Sequence, residues 1–197
     1  MATDTYIVEN YLNRLTNTLK GLPREAVQKT IDILREARKN KKMIFLFGNG
    51  GSASNSSHIV NDLIKNTCMA EMPDFRILSL NENVATMTAY GNDYGYETIF
   101  AGQLRSYASP GDVVIAMSTS GNSPNVINAL NAAKEMGLKT IGFTGEKGGE
   151  MKDIVDVCVH APSNWCGIIE DVAMILGHIF TVIFSENNDE VAQRMLS

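Results

Sequence analysis

The chain has 197 residues, 44% hydrophobic and 20% charged, which is enough to bury a sizeable core and excludes a disordered or fibrous class. Its formal charge of -5, spread along the chain, argues against general nucleic-acid or anionic-membrane binding. Three cysteines (Cys68, Cys158, Cys166) without C-x-x-C spacing argue against a thiolate zinc site and a disulfide framework.

The first residues, MATDTYIVENYLNRL, carry acids and lack the apolar core of a signal peptide, so a cytoplasmic protein with reduced thiols is expected. Tyr11, Leu15, Leu19 and Leu22 recur at helical spacing, Gly21 and Pro23 punctuate, and Val27, Ile31 and Leu34 repeat the pattern. Residues 1–40 therefore read as a pair of helices. Strand-length apolar runs follow at 43–47, 75–80, 112–118, 139–144 and 154–160. Several are apolar at consecutive positions, which suits strands covered on both faces of a parallel sheet. Helical stretches lie between them at 52–66, 96–107 and 123–136, and a last one at 167–184. The longest apolar run, 175–184, is interrupted by Gly177, His178 and Thr181, so no membrane span is expected. Alternating strands and helices give a layered α/β core over 41–197. Ligands bind outside the carboxyl ends of such strands, which directs attention to the loops after residues 47, 80, 118 and 144.

Two of those loops are unusually polar. GNGGS (48–52) follows a strand and opens a helix, so its glycines and free helix amides form a cradle suited to an anion. Gly48, Gly50 and Ala53 also fit a dinucleotide fingerprint, but Glu82 comes late for the ribose-binding acid. STSGNS (118–123) offers the hydroxyls of Ser118, Thr119, Ser120 and Ser123 at another helix start, with no P-loop lysine. Small hydroxyls and amides without a lysine suit a phosphomonoester rather than a nucleoside triphosphate. One such loop alone is equally a capped helix after a tight turn; two at strand ends point to a ligand.

The pair GNGGS and STSGNS, on this alternation, resembles the sugar isomerase (SIS) domain family. GNGGS followed by His58, then GNDYG (91–95), STSGNSPNVI and TG…GG (144–149), resembles its phosphoheptose isomerase branch over nearly the whole chain. The resemblance implies one domain over 1–197: a three-layer αβα sandwich on a mainly parallel, flavodoxin-like sheet, with residues 1–40 serving oligomerisation. It implies a homotetramer and a phosphosugar isomerase acting on sedoheptulose 7-phosphate. Phosphate would rest on Ser118, Thr119, Ser120 and Ser123, while Asn49, Gly50, Gly51, Ser52 and Asp93 would bind the sugar.

Isomerisation through an enediol needs a base and a group that manages the oxygens, and a carboxylate with an imidazole is the natural pair. Of three histidines, His160 ends an apolar run and reads as a surface or structural residue. His58 and Asp62 are four apart and share a helix face. Glu170 and His178 lie eight apart on the last helix, roughly 12 Å in rise. In its own setting, MILGHIFTVIF, His178 reads as a core histidine. By the resemblance, Asp62 and His178 stand at the acid/base positions, with Glu170 the alternative base, and His58, Asp62, Glu170 and His178 match a set that binds zinc in some members. Asp62 stands where the family has Glu, and Glu170 where it has Gln. Gly167 and Asn66 replace an Asp and an Arg, with Lys65 beside the latter. These departures leave two further readings open: a non-catalytic phosphosugar binder or adaptor, and an isomerase of another sugar phosphate.

Overall fold

A computed structural model describes residues 3–68 and 72–185. Five parallel strands form one sheet: β1 (Met43–Gly48), β2 (Arg76–Ser79), β3 (Val113–Met117), β4 (Lys139–Thr144) and β5 (Val157–His160), in the order β2-β1-β3-β4-β5. Phe45 pairs with Leu78 and Val114, Ile115 with Ile141, and Thr144 with His160. This is the flavodoxin-like order. The connections leave in opposite senses at β1 and β3, and the crevice outside their carboxyl ends is where such sheets bind ligands.

Consecutive apolar residues are explained by the pleat, which sends alternate side chains to opposite faces. Ile44, Leu46, Ile115, Met117, Ile141 and Phe143 join one core with helices α2 (Arg24–Lys39), α3 (Gly51–Lys65) and α8 (Cys166–Phe184). Phe45, Phe47, Val114 and Ala116 join a second core with α5 (Ile99–Tyr107), α6 (Pro124–Glu135) and α7 (Met151–Ile154). The result is the three-layer sandwich. Helix α1 (Asp4–Lys20) packs outside it, on α8. Tyr11 Oη donates to Asp171 Oδ2 at 2.6 Å, and the Tyr11 ring meets Trp165 edge-on at 5.0 Å. That hydrogen bond, with burial and the Asp171 charge, pushes the Tyr11 phenol up to about 12, so it remains a donor.

Three expectations change in detail. Residues 84–94, unassigned from periodicity, form helix α4 (Val84–Tyr94), started by the Asn83 side chain accepting from Thr86 N. The run 154–160 divides: Met151–Ile154 is helical and β5 begins at Val157. Asp156, between them, accepts from the backbone and hydroxyl of Thr140. The helix expected at 96–107 opens with a 3-10 turn at Tyr96–Thr98 before α5. Helix α8 is, by length and composition, apolar enough to cross a bilayer, but half of its most apolar window is buried inside the protein, as in a core helix.

One buried cation ties this frame together. Arg38, 2% exposed, donates to the carbonyls of Pro73 at 2.8 Å, Phe184 at 3.0 Å and Thr67 at 2.5 Å. Its guanidinium also lies 4.8 Å from the Phe75 ring centroid. Replacing Arg38 with leucine strands three carbonyls and should destabilise the protein by about 3 kcal/mol. Thermal unfolding should then shift down by roughly 10 °C; an unchanged midpoint would refute this account of the joint.

Candidate functional site

The first polar loop folds tightly. A side chain at Gly48 would meet Ser52 Cβ at 2.6 Å and the Met117 carbonyl at 2.8 Å, so glycine lets α3 start hard against β3. Asn81, just past β2, grips Gly48 from both sides, accepting from its N–H at 3.3 Å and donating to its carbonyl at 2.9 Å. Asn49 is paired reciprocally with Asn125 at 2.9 and 2.8 Å, and Tyr96 Oη donates to Asn49 Oδ1 at 3.1 Å. Asn49, expected on sugar hydroxyls, thus pins the first loop to the start of α6. Asn81, Asn125 and Tyr96 were missed by the sequence reading, because an asparagine beside a loop carries no signal of which loop it will reach.

The second loop is a nest of hydroxyls. Ser118, 4% exposed, has its Oγ 3.1 Å from Ser123 Oγ and 3.4 Å from Ser120 Oγ. Ser123 caps α6 by position while its side chain makes no capping bond; Pro124 has no N–H to offer, and Val126 N donates to Asn125 Oδ1 at 3.0 Å. The turn 145–151 lies over this loop. Glu150 N donates to Asn122 Oδ1 at 2.8 Å and Met151 N to the Gly121 carbonyl at 3.0 Å. Gly121 has φ +67°, and a Cβ there would fall 2.1 Å from the Gly148 carbonyl oxygen. A cleft of about 330 Å³ opens beside the loop, lined by Thr119, Ser120, Asn122, Lys147 and Cys166 among others.

Helices α3 and α8 run side by side in the same direction: Asn55 Nδ2 donates to the Glu170 carbonyl at 2.8 Å, and farther along a Cβ at Gly177 would lie 2.4 Å from Ile59. This seam brings His58, Asp62 and His178 together. The two imidazole Nε2 atoms are 3.3 Å apart, and Asp62 Oδ2 is 3.4 Å from His58 Nε2 and 3.7 Å from His178 Nε2. Both imidazoles are about half exposed, whereas the Asp62 side chain is 14% exposed. His178 is therefore not the core histidine its apolar neighbours suggested; it sits on the outer face of a helix whose inner face is core.

Glu170 does not join this group. Its half-buried carboxylate lies at the start of α3, 2.5 Å from where a Gly51 Cβ would be. It borders an interior gap with Ser52 and Thr119. Asp93 is exposed on α4 and accepts from Asn92 at 2.7 Å, with no side-chain hydrogen bond to either polar loop among the described residues. Gly50, at φ +55°, has open space around it.

The three converging atoms fit a metal. Tetrahedral zinc with ligands at about 2.0–2.2 Å sets them about 3.3–3.6 Å apart, close to the three separations here. All lie within 4.8 Å of one another, and two imidazoles with one carboxylate leave a fourth position open, the pattern of a catalytic zinc.

Comparison with known proteins adds an independent line. The model of the SIS domain matches residues 9–145, which takes in both polar loops and stops short of α8. The phosphoheptose isomerase of a Nitratiruptor species is 41% identical over 152 residues, covering 77% of this chain and 81% of that protein. The phosphoheptose isomerase of Akkermansia muciniphila is 34% identical over 174 residues, 87% and 92% of the two chains. Among solved structures, a phosphoheptose isomerase from Francisella tularensis superposes with a TM-score of 0.85 at 26% identity, over 94% of this chain and 100% of that one.

Proposed function

Because this chain belongs to the SIS domain family, among relatives named phosphoheptose isomerase, we propose that it converts sedoheptulose 7-phosphate to D-glycero-D-manno-heptose 7-phosphate through an enediol. The observation that carries the reading is the seam: it starts beside the serine loop and ends at His58, Asp62 and His178. From Gly51 to His58 the helix rises roughly 10 Å. An extended seven-carbon phosphate, at the reach of any extended covalent chain, spans about 10 Å from phosphorus to C1.

Phosphate is held by Ser118, Thr119, Ser120 and Ser123. The sugar runs past Ser52 and Glu170, whose carboxylate accepts from sugar hydroxyls, and presents C1 and C2 to His178. His178 removes the C1 proton, the enediol forms, and the proton returns at C2; the C2 oxygen gains a proton and the C1 oxygen loses one. Asp62, its Oδ2 3.7 Å from His178 Nε2, sets a carboxylate beside the imidazole that takes the proton. His58, Asp62 and His178 would also hold a zinc ion, which would supply Lewis-acid polarisation of a sugar oxygen; an Nε2 engaged by metal is not free to take the C1 proton, so base and ligand are alternative roles for His178. Glu170, a helix turn or more away, is a poor fourth ligand within one chain.

The chain forms a homo-oligomer, a tetramer by its resemblance, through α1 and the outer face of α8. Tyr6, Ile7, Val8 and Leu12 of α1 are each more than half exposed, and Ile179 beside His178 is 38% exposed. An apolar strip of that extent is stable in water when a partner covers it. A cytoplasmic location fits its likeness to the phosphoheptose isomerases.

The test is proton exchange. In D₂O, sedoheptulose 7-phosphate should gain deuterium as aldose appears, followed by NMR after chelation and again with added zinc. Phosphosugar binding with neither exchange nor aldose would replace the isomerase with a binder.

A further inference from the structure

Two buried side-chain atoms among the described residues have no hydrogen-bonding partner: Thr144 Oγ1 and His160 Nδ1. They are neighbours. Thr144 and His160 are register partners on β4 and β5. Phe143 and Val159, one residue before each, point into the core beneath α8, so the pleat sends Thr144 and His160 together to the opposite face. Thr144 is 1% exposed, and an unpaired hydroxyl that deep is costly.

What lies above them is the turn that covers the serine loop. His160 Cε1 would be 2.6 Å from a Cβ at Gly148. Gly148 and Gly149 have φ of +70° and +55°, and the Gly148 carbonyl stands where a Gly121 side chain would be. His160 is thus the floor of the turn whose next residues bond Asn122 and Gly121.

We propose that Thr144 and His160 form a hydrogen-bonded pair, Oγ1 donating to Nδ1, that seats the Gly148–Gly149 turn on the serine loop, making both positioning residues for phosphate. Adjacent strands lie about 4.8 Å apart, so a side-chain rotation closes the bond. The imidazole then carries its proton on Nε2 and accepts at Nδ1. Neither residue touches the sugar. The pair acts by holding the shape of the loop that does, and the proposal rests on the phosphate assignment of residues 118–123.

The experiment compares Thr144→Val, Thr144→Ser, His160→Phe, His160→Asn and the Val/Phe double variant. Affinity for inorganic phosphate is read by calorimetry, KM and kcat with sedoheptulose 7-phosphate, and the state of Nδ1 by 15N NMR of labelled imidazole. Thr144→Val should weaken phosphate binding and raise KM about tenfold with kcat little changed, and should move the Nδ1 resonance. Thr144→Ser and His160→Asn, which keep a donor or an acceptor in place, should bind within about twofold of the parent. The double variant should be no worse than either loss, since both remove one bond. An unmoved Nδ1 resonance in Thr144→Val, or additive losses, would overturn the pair. If the parent protein binds phosphate but turns over no sugar, the isomerase reading fails and the pair is judged by binding alone. If it binds no phosphate, the positioning role fails too, while the resonance still decides whether the bond exists.

Discussion

His178→Ala should lower kcat about a thousandfold, within the range removed with a general acid–base group. The imidazole is about half exposed at the end of the α3–α8 seam, where it meets His58 edge-on at 5.3 Å. The fold should therefore survive, and the loss should appear in kcat rather than in KM. Asp62→Asn should follow it closely, because the amide keeps the shape and loses the charge that faces both imidazoles. Glu170→Gln gives the contrast. Its carboxylate stands at the other end of the seam, against Gly51, and an amide can still bind sugar hydroxyls. Activity should stay within about tenfold of the parent. Steady-state kinetics on the three variants decides between the two carboxylates. A dead Glu170→Gln beside an active Asp62→Asn would move the base to the start of α3 and overturn the arrangement proposed above.

The second large effect belongs to Gly121. Its φ of +67° is a region that side chains other than glycine seldom adopt, and the Gly148 carbonyl stands 2.1 Å from any added Cβ. Neither obstacle is the far end of a flexible side chain, so the serine loop or the turn above it must move. A displacement of about 1 Å can cost on the order of a hundredfold in a positioned reaction. Gly121→Ala should therefore raise KM for the phosphosugar by about a hundredfold and abolish detectable binding of inorganic phosphate. Melting should shift by only a few degrees, because both loops lie outside the two cores. Retained phosphate affinity would show that the ligand does not rest on this loop.

Much of this was legible in the sequence where burial imposes a pattern. The five strands were readable because residues such as Phe45 and Leu46 must satisfy opposite cores, and β4 was bounded correctly at 139–144. Helix α4 was not readable: none of its residues is fully buried, and only Met87 and Tyr90 pack against the second core, too few to write a helical stripe. The hydroxyl loop announced itself by composition. The convergence of His58 with His178 did not, since it depends on α3 and α8 lying parallel across 120 residues of chain. Nor did composition show that Asn49 would be spent on Asn125, because an amide bonds a ligand or another amide equally well. The same blindness hid Thr144 and His160, whose proximity is a matter of strand register.

The reciprocal amide pair at 49 and 125 also constrains how such a chain can drift. Each side chain gives the other one N–H and takes one in return, so the two positions act as a single inherited character. A change to aspartate at either one would turn a donor into an acceptor facing an acceptor, and a change to serine would leave the partner half served. Variants at these positions should survive in pairs or not at all, which makes residues 49 and 125 the first place to look for correlated change among descendants of this sequence.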